Sequence, residues 1–223
     1  MKTRYKYEFL LAAQILLSVI SPLFMSTLHA RAIVDLCITV VFAAAIIVIS
    51  SRRIHLLIGM ALMIPTLVLI WGIKIYHLES LELISMIGSA CFFCYIAGLI
   101  LVDILRVKMV TLDIIAAGIS VYLFFGNIFG FIYAIIGRID PNAFIIPEAT
   151  ASYLGDTLGD VSSAMYFSFV TLTTLGYGDI TPINHFARSL AFLEAAMGQI
   201  YLTVLIASLV GIHISTTGKG AQS

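Results

Sequence analysis

The residues best suited to chemistry are Thr173-Thr174-Leu175-Gly176-Tyr177-Gly178-Asp179, set between an amphipathic run, Val161 to Leu172, and a long apolar segment that begins near Phe186. Gly176 and Gly178 alternate with the bulky Leu175 and Tyr177. Glycine takes positive φ at little steric cost. A backbone of alternating handedness can therefore turn every carbonyl to one side, while Leu175 and Tyr177 point away into the protein. Such a carbonyl ladder, repeated around a symmetry axis, replaces the water shell of a potassium ion. Consecutive carbonyls about 3 Å apart make several sites within about 12 Å. Repulsion between neighbouring ions then lets each one bind well enough to shed water and still leave.

The flanking elements must hold this ladder in place. Asp160 suits the N-cap of a short helix from Val161 to about Thr173. That helix is too short to span a bilayer, so it is expected to re-enter, with its C-terminal end aimed at the membrane centre. Backbone at such depth is tolerated only where protein or a water-filled cavity surrounds it, and the negative end of the helix dipole favours a cation there. Tyr166 and Phe167 in the short helix are expected to form an aromatic cuff with Tyr177. In the following helix, Gly198 is read as a point of close helix packing. Gln199, Leu202, Thr203, Ile206 and Val210 share one helical face and are candidates for lining a cavity. Glu194, a carboxyl at membrane depth, is expected to be neutral or hydrogen-bonded. It is placed to brace the back of the short helix through Ser168 or Thr171 and so to stabilise the conducting filter. His185, near the outer mouth, reads as a pH-sensing group or as a solvated loop histidine.

The stretch resembles the signature of the potassium channel family. The resemblance rests on GYGD after two threonines, a short helix before, and a Pro182 turn into a membrane helix after, and it covers about the last hundred residues. It implies K+ contacts from the Thr174 hydroxyl and from the carbonyls of Thr174, Leu175, Gly176 and Tyr177. It implies filter support from Thr173, Gly178, Asp179, Tyr166, Phe167 and Glu194, and a hinge at Gly198. Four copies are needed to close the ring, so a homotetramer in the lipid bilayer is implied, with K+ as permeant ligand and no cofactor. Relatives commonly carry tryptophans where this chain has Tyr166 and Phe167, which puts the hydrogen bonding that holds the filter open in question.

Composition agrees with a membrane protein: of 223 residues, 61% are hydrophobic and 11% charged, against about 25% charged in a soluble domain. Apolar runs at Phe9–Met25, Ala32–Ser50, Ile54–Tyr76, Leu81–Leu105, Asp113–Ile136 and Phe186–Ile214 each supply about the twenty residues a bilayer requires. The expected fold is an all-α membrane protein of six transmembrane helices with a re-entrant pore helix and selectivity filter, in a voltage-gated-channel-like architecture. Residues 1–110 form a four-helix voltage-sensor-like part, 111–215 the pore and 216–223 a short cytoplasmic tail. With the N-terminus in the cytoplasm, Lys2, Arg4, Lys6, Arg52, Arg53, Arg106, Lys108 and Lys219 lie inside and Arg31, Lys74, Arg138 and Arg188 outside. That distribution follows the positive-inside tendency and suits a plasma-membrane protein with both termini cytoplasmic. Acidic outer loops either concentrate cations at a pore mouth or are solvated loop charge. Cys37, Cys91 and Cys94 lie in apolar runs and read as buried reduced thiols. Asn127, mid-membrane, is expected to bond a neighbouring element.

The fourth helix is informative for what it lacks. Voltage-gated relatives carry arginine there at every third position, whereas Leu81–Leu105 contains no basic residue. Moving one charge through 100 mV is worth about 2.3 kcal/mol, so steep voltage dependence is not expected. Arg106 and Lys108 snorkel to headgroups or pair with Asp103 or Asp113. The few residues after the last helix leave gating to the membrane, the filter, the first four helices or a separate subunit. The balanced charge disfavours a nucleic-acid partner, and no nucleophile–base pair, metal cluster or phosphate loop suggests an enzyme. A non-selective cation channel is the nearest rival reading. A channel-like non-conducting sensor and a secondary transporter, which would show paired broken helices, stand further off.

Overall fold

Long apolar runs bounded by turn residues become α-helices in the computed structural model, which describes residues 6–23, 30–50, 52–76, 79–107, 111–147, 151 and 158–220. They are α1 (Lys6–Leu23), α2 (Ala30–Ile49), α3 (Arg53–Tyr76), α4 (Glu82–Leu105, after a single 3-10 turn), α5 (Leu112–Ile139), α6 (Val161–Leu172) and α7 (His185–Gly220). Two short strands, β1 (Phe144–Ile145) and β2 (Thr181–Pro182), pair antiparallel. Among the described residues five helices, α2, α3, α4, α5 and α7, are long and apolar enough to cross a membrane. The expected sixth, α1, is an 18-residue helix and is not in that set. The last helix runs further than expected, to Gly220.

Lipid tails are as apolar as leucine, so helices here associate through close packing and hydrogen bonds rather than through escape from water. Aromatic rings fill the seam between the first four helices and α5. Phe93 of α4 lies 5.2 Å from Phe42 of α2, and 5.1 and 5.8 Å from Phe124 and Phe131 of α5. The Cys91–Tyr95 stretch is thus packing through Phe92 and Phe93, both fully buried. Cys91 and Cys94 are exposed on the other side of α4, and only Cys37 is buried, which corrects the expectation of three buried thiols. The helix period explains it, since a run of five turns through all faces.

Two polar contacts fix α1 along α5. The Tyr7 backbone N–H donates to Asp113 Oδ1 at 3.1 Å, and Gln14 Nε2 donates to the Ser120 carbonyl at 3.2 Å. The spacing is seven residues on both helices, so they lie side by side and run the same way. Only residues 106–111 separate α4 from α5, a reach of about 25 Å at full extension, and α4 packs directly on its own α5. Ion pairs tie helix ends: Arg52 with Asp103 at 2.5 Å, Lys74 with Asp35, and Arg138 with Glu82. Asp103 is therefore taken by Arg52 and by the Tyr7 hydroxyl, 3.2 Å away, rather than by Arg106, which is exposed. Lys108 lies outside the described residues.

Candidate functional site

The short helix forms where its signals lie. The Asp160 carboxylate accepts from the Ser162 N–H at 3.1 Å, and the helix ends at Leu172 with Thr173 as C-cap. Small residues on α5 let α6 approach. A Cβ at Gly126 would meet Phe169 Cε1 at 2.4 Å, and one at Gly130 would meet Met165 Cα at 3.0 Å. Asn127, beside them, is fully buried, but its Nδ2 donates to Leu123 O of its own helix, 2.9 Å away. That corrects the expectation of a partner on a neighbouring element, and its Oδ1 has no partner among the described residues. An amide in a helix can fold back one turn to a carbonyl, which needs no neighbour.

Beyond Leu172 the chain leaves the helical register. The Leu175 and Gly176 N–H groups both donate to Val170 O, at 3.0 and 3.3 Å, and the Thr174 N–H donates to Thr171 O at 2.9 Å. Positive φ occurs at Thr174 (58°), Gly176 (58°) and Gly178 (76°), and among the described residues nowhere else. Every second residue is left-handed. Around Gly176 and Gly178 a Cβ would meet nothing, so glycine is required there by φ and not by space. Thr174 departs from the expectation, being a β-branched residue in a region that costs such residues energy. Its hydroxyl donates to Thr173 O at 2.7 Å. Among the described residues nothing donates to the carbonyls of Thr174, Leu175, Gly176 or Tyr177.

Side chains around the segment divide between two directions. The Tyr166 hydroxyl donates to Asp179 Oδ2 at 2.5 Å, linking the short helix to the end of the segment. Phe167, one residue on, faces the opposite way, 4.9 Å from the Tyr133 ring and 5.5 Å from Phe144. The expected cuff is corrected accordingly: neighbours on a helix diverge by about 100°, so Tyr166 and Phe167 cannot both face the filter. Leu175 and Tyr177, expected to be covered by protein, are 55% and 66% exposed in the single chain. Leu175 borders a groove of about 250 Å³ with Phe169, Val170, Thr173 and Ser18 of α1.

Beyond Asp179 the chain turns back. The β1–β2 pairing and the Ile183 N–H, which donates to Ala143 O at 2.8 Å, anchor it to the segment after α5. Asn184 caps α7 by accepting from the Phe186 N–H at 2.8 Å, and His185 is the exposed first residue of that helix. Further along α7, Gly198 touches the end of α6, where a Cβ would stand 2.5 Å from Leu172 O. Close approach to backbone therefore explains this glycine. Gln199 is exposed, and its Nε2 donates to Thr174 Oγ1 at 3.4 Å. Thr203 and Ile206 are exposed and Leu202 half-buried on the same helix, while the side chain of Val210 lies outside the described residues.

Glu194 is fully buried. Of the two hydroxyls expected as partners, Ser168 is the one in contact, 2.5 Å from Oε1, and Tyr133 Oη donates to Oε2 at 2.8 Å. Tyr133 was not singled out from sequence, nor was Tyr122, whose hydroxyl donates to Leu172 O at 3.2 Å, nor Tyr201, which donates to Gly118 O at 2.7 Å. The signal was a phenol inside an apolar helix, which needs a polar partner.

Residues 110–214 match the family model described as ion channel. The segment belongs to the ion channel family. The match covers the stretch on which the resemblance to potassium channels rests and bears it out. Over 82 residues the chain is 32% identical to Protein LctB of Geobacillus stearothermophilus, an alignment covering 37% of this chain. The chain spans 59% of that relative's length. No solved structure matches. An ion channel domain together with several apolar helices makes this a membrane protein, and the family points away from catalysis. No group of three or more metal-ligating side chains occurs among the described residues.

Proposed function

We propose that four copies of this chain form a potassium-selective channel, with Thr173–Asp179 as its filter. The observation that carries this reading is the alternation of positive φ at Thr174, Gly176 and Gly178 beside four carbonyls that accept no hydrogen bond from any described residue. These residues are exposed in the single chain. Once copies assemble around them, a carbonyl shielded from water and without a partner costs free energy comparable to a lost hydrogen bond, and a dehydrated cation supplies the partner. K+ is bound by the carbonyls of Thr174, Leu175, Gly176 and Tyr177 and by the Thr174 hydroxyl. The exposed Leu175 and Tyr177 become covered when copies assemble. Thr173, Gly178, the Tyr166–Asp179 bond and Glu194 hold the filter, while Gln199, Leu202, Thr203, Ile206 and Val210 line the cavity below it.

In this reading α6 re-enters the membrane, α1 completes six spans, and both termini are cytoplasmic in the plasma membrane. The first four helices, residues 1–110, sit on the pore helices of their own subunit, because residues 106–111 are too few to carry them to a neighbour past the α4–α5 packing. Conduction is passive and only weakly voltage-dependent, since α4 carries no basic residue. The test is the purified full chain in liposomes. A fourfold mass in native mass spectrometry and K+ efflux down its gradient support the proposal, while K+ and Na+ leaving at equal rates favours a non-selective cation channel, and no efflux a non-conducting sensor.

A further inference from the structure

Glu194 sits in a set of hydrogen bonds whose proton count fixes its chemical form. Ser168 Oγ has two oxygen neighbours, the Gly126 carbonyl at 2.7 Å and Glu194 Oε1 at 2.5 Å. A serine hydroxyl has one proton. If Glu194 were ionised, both neighbours would be acceptors only, and one of the two short contacts would have no hydrogen in it. A proton on Oε1 resolves this. Tyr133 then donates to Oε2, Glu194 donates to Ser168, and Ser168 donates to the Gly126 carbonyl, each link running the same way.

From this geometry we infer that Glu194 is a proton-bearing positioning residue, whose carboxylic acid O–H clamps the pore helix between the outer and inner helices. The inference deepens the potassium-channel reading and rests on it for its effect on conduction. The chain ties α7 to α5 through Tyr133, α7 to α6 through Ser168, and α6 to α5 through Gly126. Gly198, one turn further along α7, contacts Leu172 where α6 gives way to the filter. Movement of α6 relative to α7 therefore alters the base of the filter directly. Among the described residues the titratable groups acting on Glu194 are Tyr133, in contact, and Tyr122, both on α5. None is charged, and from α6 only the Ser168 hydroxyl faces it.

The test separates a carried proton from a charge. Glutamine keeps both roles, since its N–H donates to Ser168 and its oxygen accepts from Tyr133. Glu194→Gln is expected to keep K+ flux within about twofold of the unmodified protein. Glu194→Leu, which strands the Tyr133 hydroxyl, is expected to cut flux about tenfold or more. At alkaline pH the unmodified channel should lose flux as the proton leaves, and Glu194→Gln should not. Infrared spectra of the full protein at neutral pH should show a protonated carboxyl band that disappears in Glu194→Gln. Glu194→Gln failing as badly as Glu194→Leu, or both glutamate and glutamine forms titrating alike, would overturn the inference. Where the unmodified protein conducts nothing, the channel reading fails and the infrared band alone decides: its presence upholds the protonated form and its absence rejects it.

Discussion

The first four helices and the helices after Leu112 are similarly apolar, yet they place polar groups in different ways. In the first set, charges sit near helix ends and meet opposite charges, as in Arg52–Asp103 and Lys74–Asp35, and Glu82 pairs across the boundary with Arg138 of α5. Its centre is closed by Phe42, Phe92 and Phe93. In the second set, polar groups lie deep. Glu194, Ser168 and Tyr133 bond one another behind the short helix, and the carbonyls of Thr174 to Tyr177 have no donor among the described residues. Polar atoms at depth are costly unless paired. In the proposed channel the second set forms the pore and the first set its scaffold, where Gln14, Thr66 and Ser89 are polar side chains buried along the helices.

Substitutions can break or sharpen this contrast. The largest effect is expected at Gly176, where the space is open but φ is 58°. Gly176→Ala imposes about 1–2 kcal/mol in each copy, and K+ selectivity in liposome flux is expected to be lost. At Gly198 the opposite holds, with helical φ and no space: Gly198→Ala puts a methyl 2.5 Å from Leu172 O. Overpacking of about 1–3 kcal/mol should lower the unfolding temperature in detergent and reduce flux. Tyr166→Phe removes the bond to Asp179. A hydrogen bond to a charged group contributes about 1.5–3 kcal/mol when buried, and Tyr166 is half-buried, so single-channel records should show openings shortened by about tenfold or less. Arg52→Ala, in the first set, removes an ion pair whose partners are 43% and 24% exposed. About 0–1 kcal/mol is expected, with flux and its voltage dependence unchanged. An Arg52 effect matching that at Gly176 would erase the distinction between scaffold and pore.

Much of this was legible in the residues. Asp160 caps its helix as its side chain suggests, accepting from the Ser162 N–H, and Thr111 does the same for α5 by accepting from the Ile114 N–H. The glycine alternation pointed to left-handed backbone at Gly176 and Gly178 because only glycine adopts it freely. Thr174 joins them without a sequence sign, held instead by its bond to Thr171 O. Helix faces were harder to read. Where a helix is apolar all round, hydropathy does not say which side meets protein, so the direction of Phe167 and the partnership of Tyr133 with Glu194 emerged only from packing. The β1–β2 pairing joins two residues to two others across a long separation in sequence, too short a pattern to register.

The central claim concerns K+ replacing its water with peptide oxygens from Thr174 to Tyr177. The most direct measurement is the reversal potential of the full protein in a planar bilayer, with potassium on one side and sodium on the other. The account predicts a potential far toward the potassium equilibrium value, which collapses in Gly176→Ala. A reversal potential near zero in the unmodified channel would contradict it.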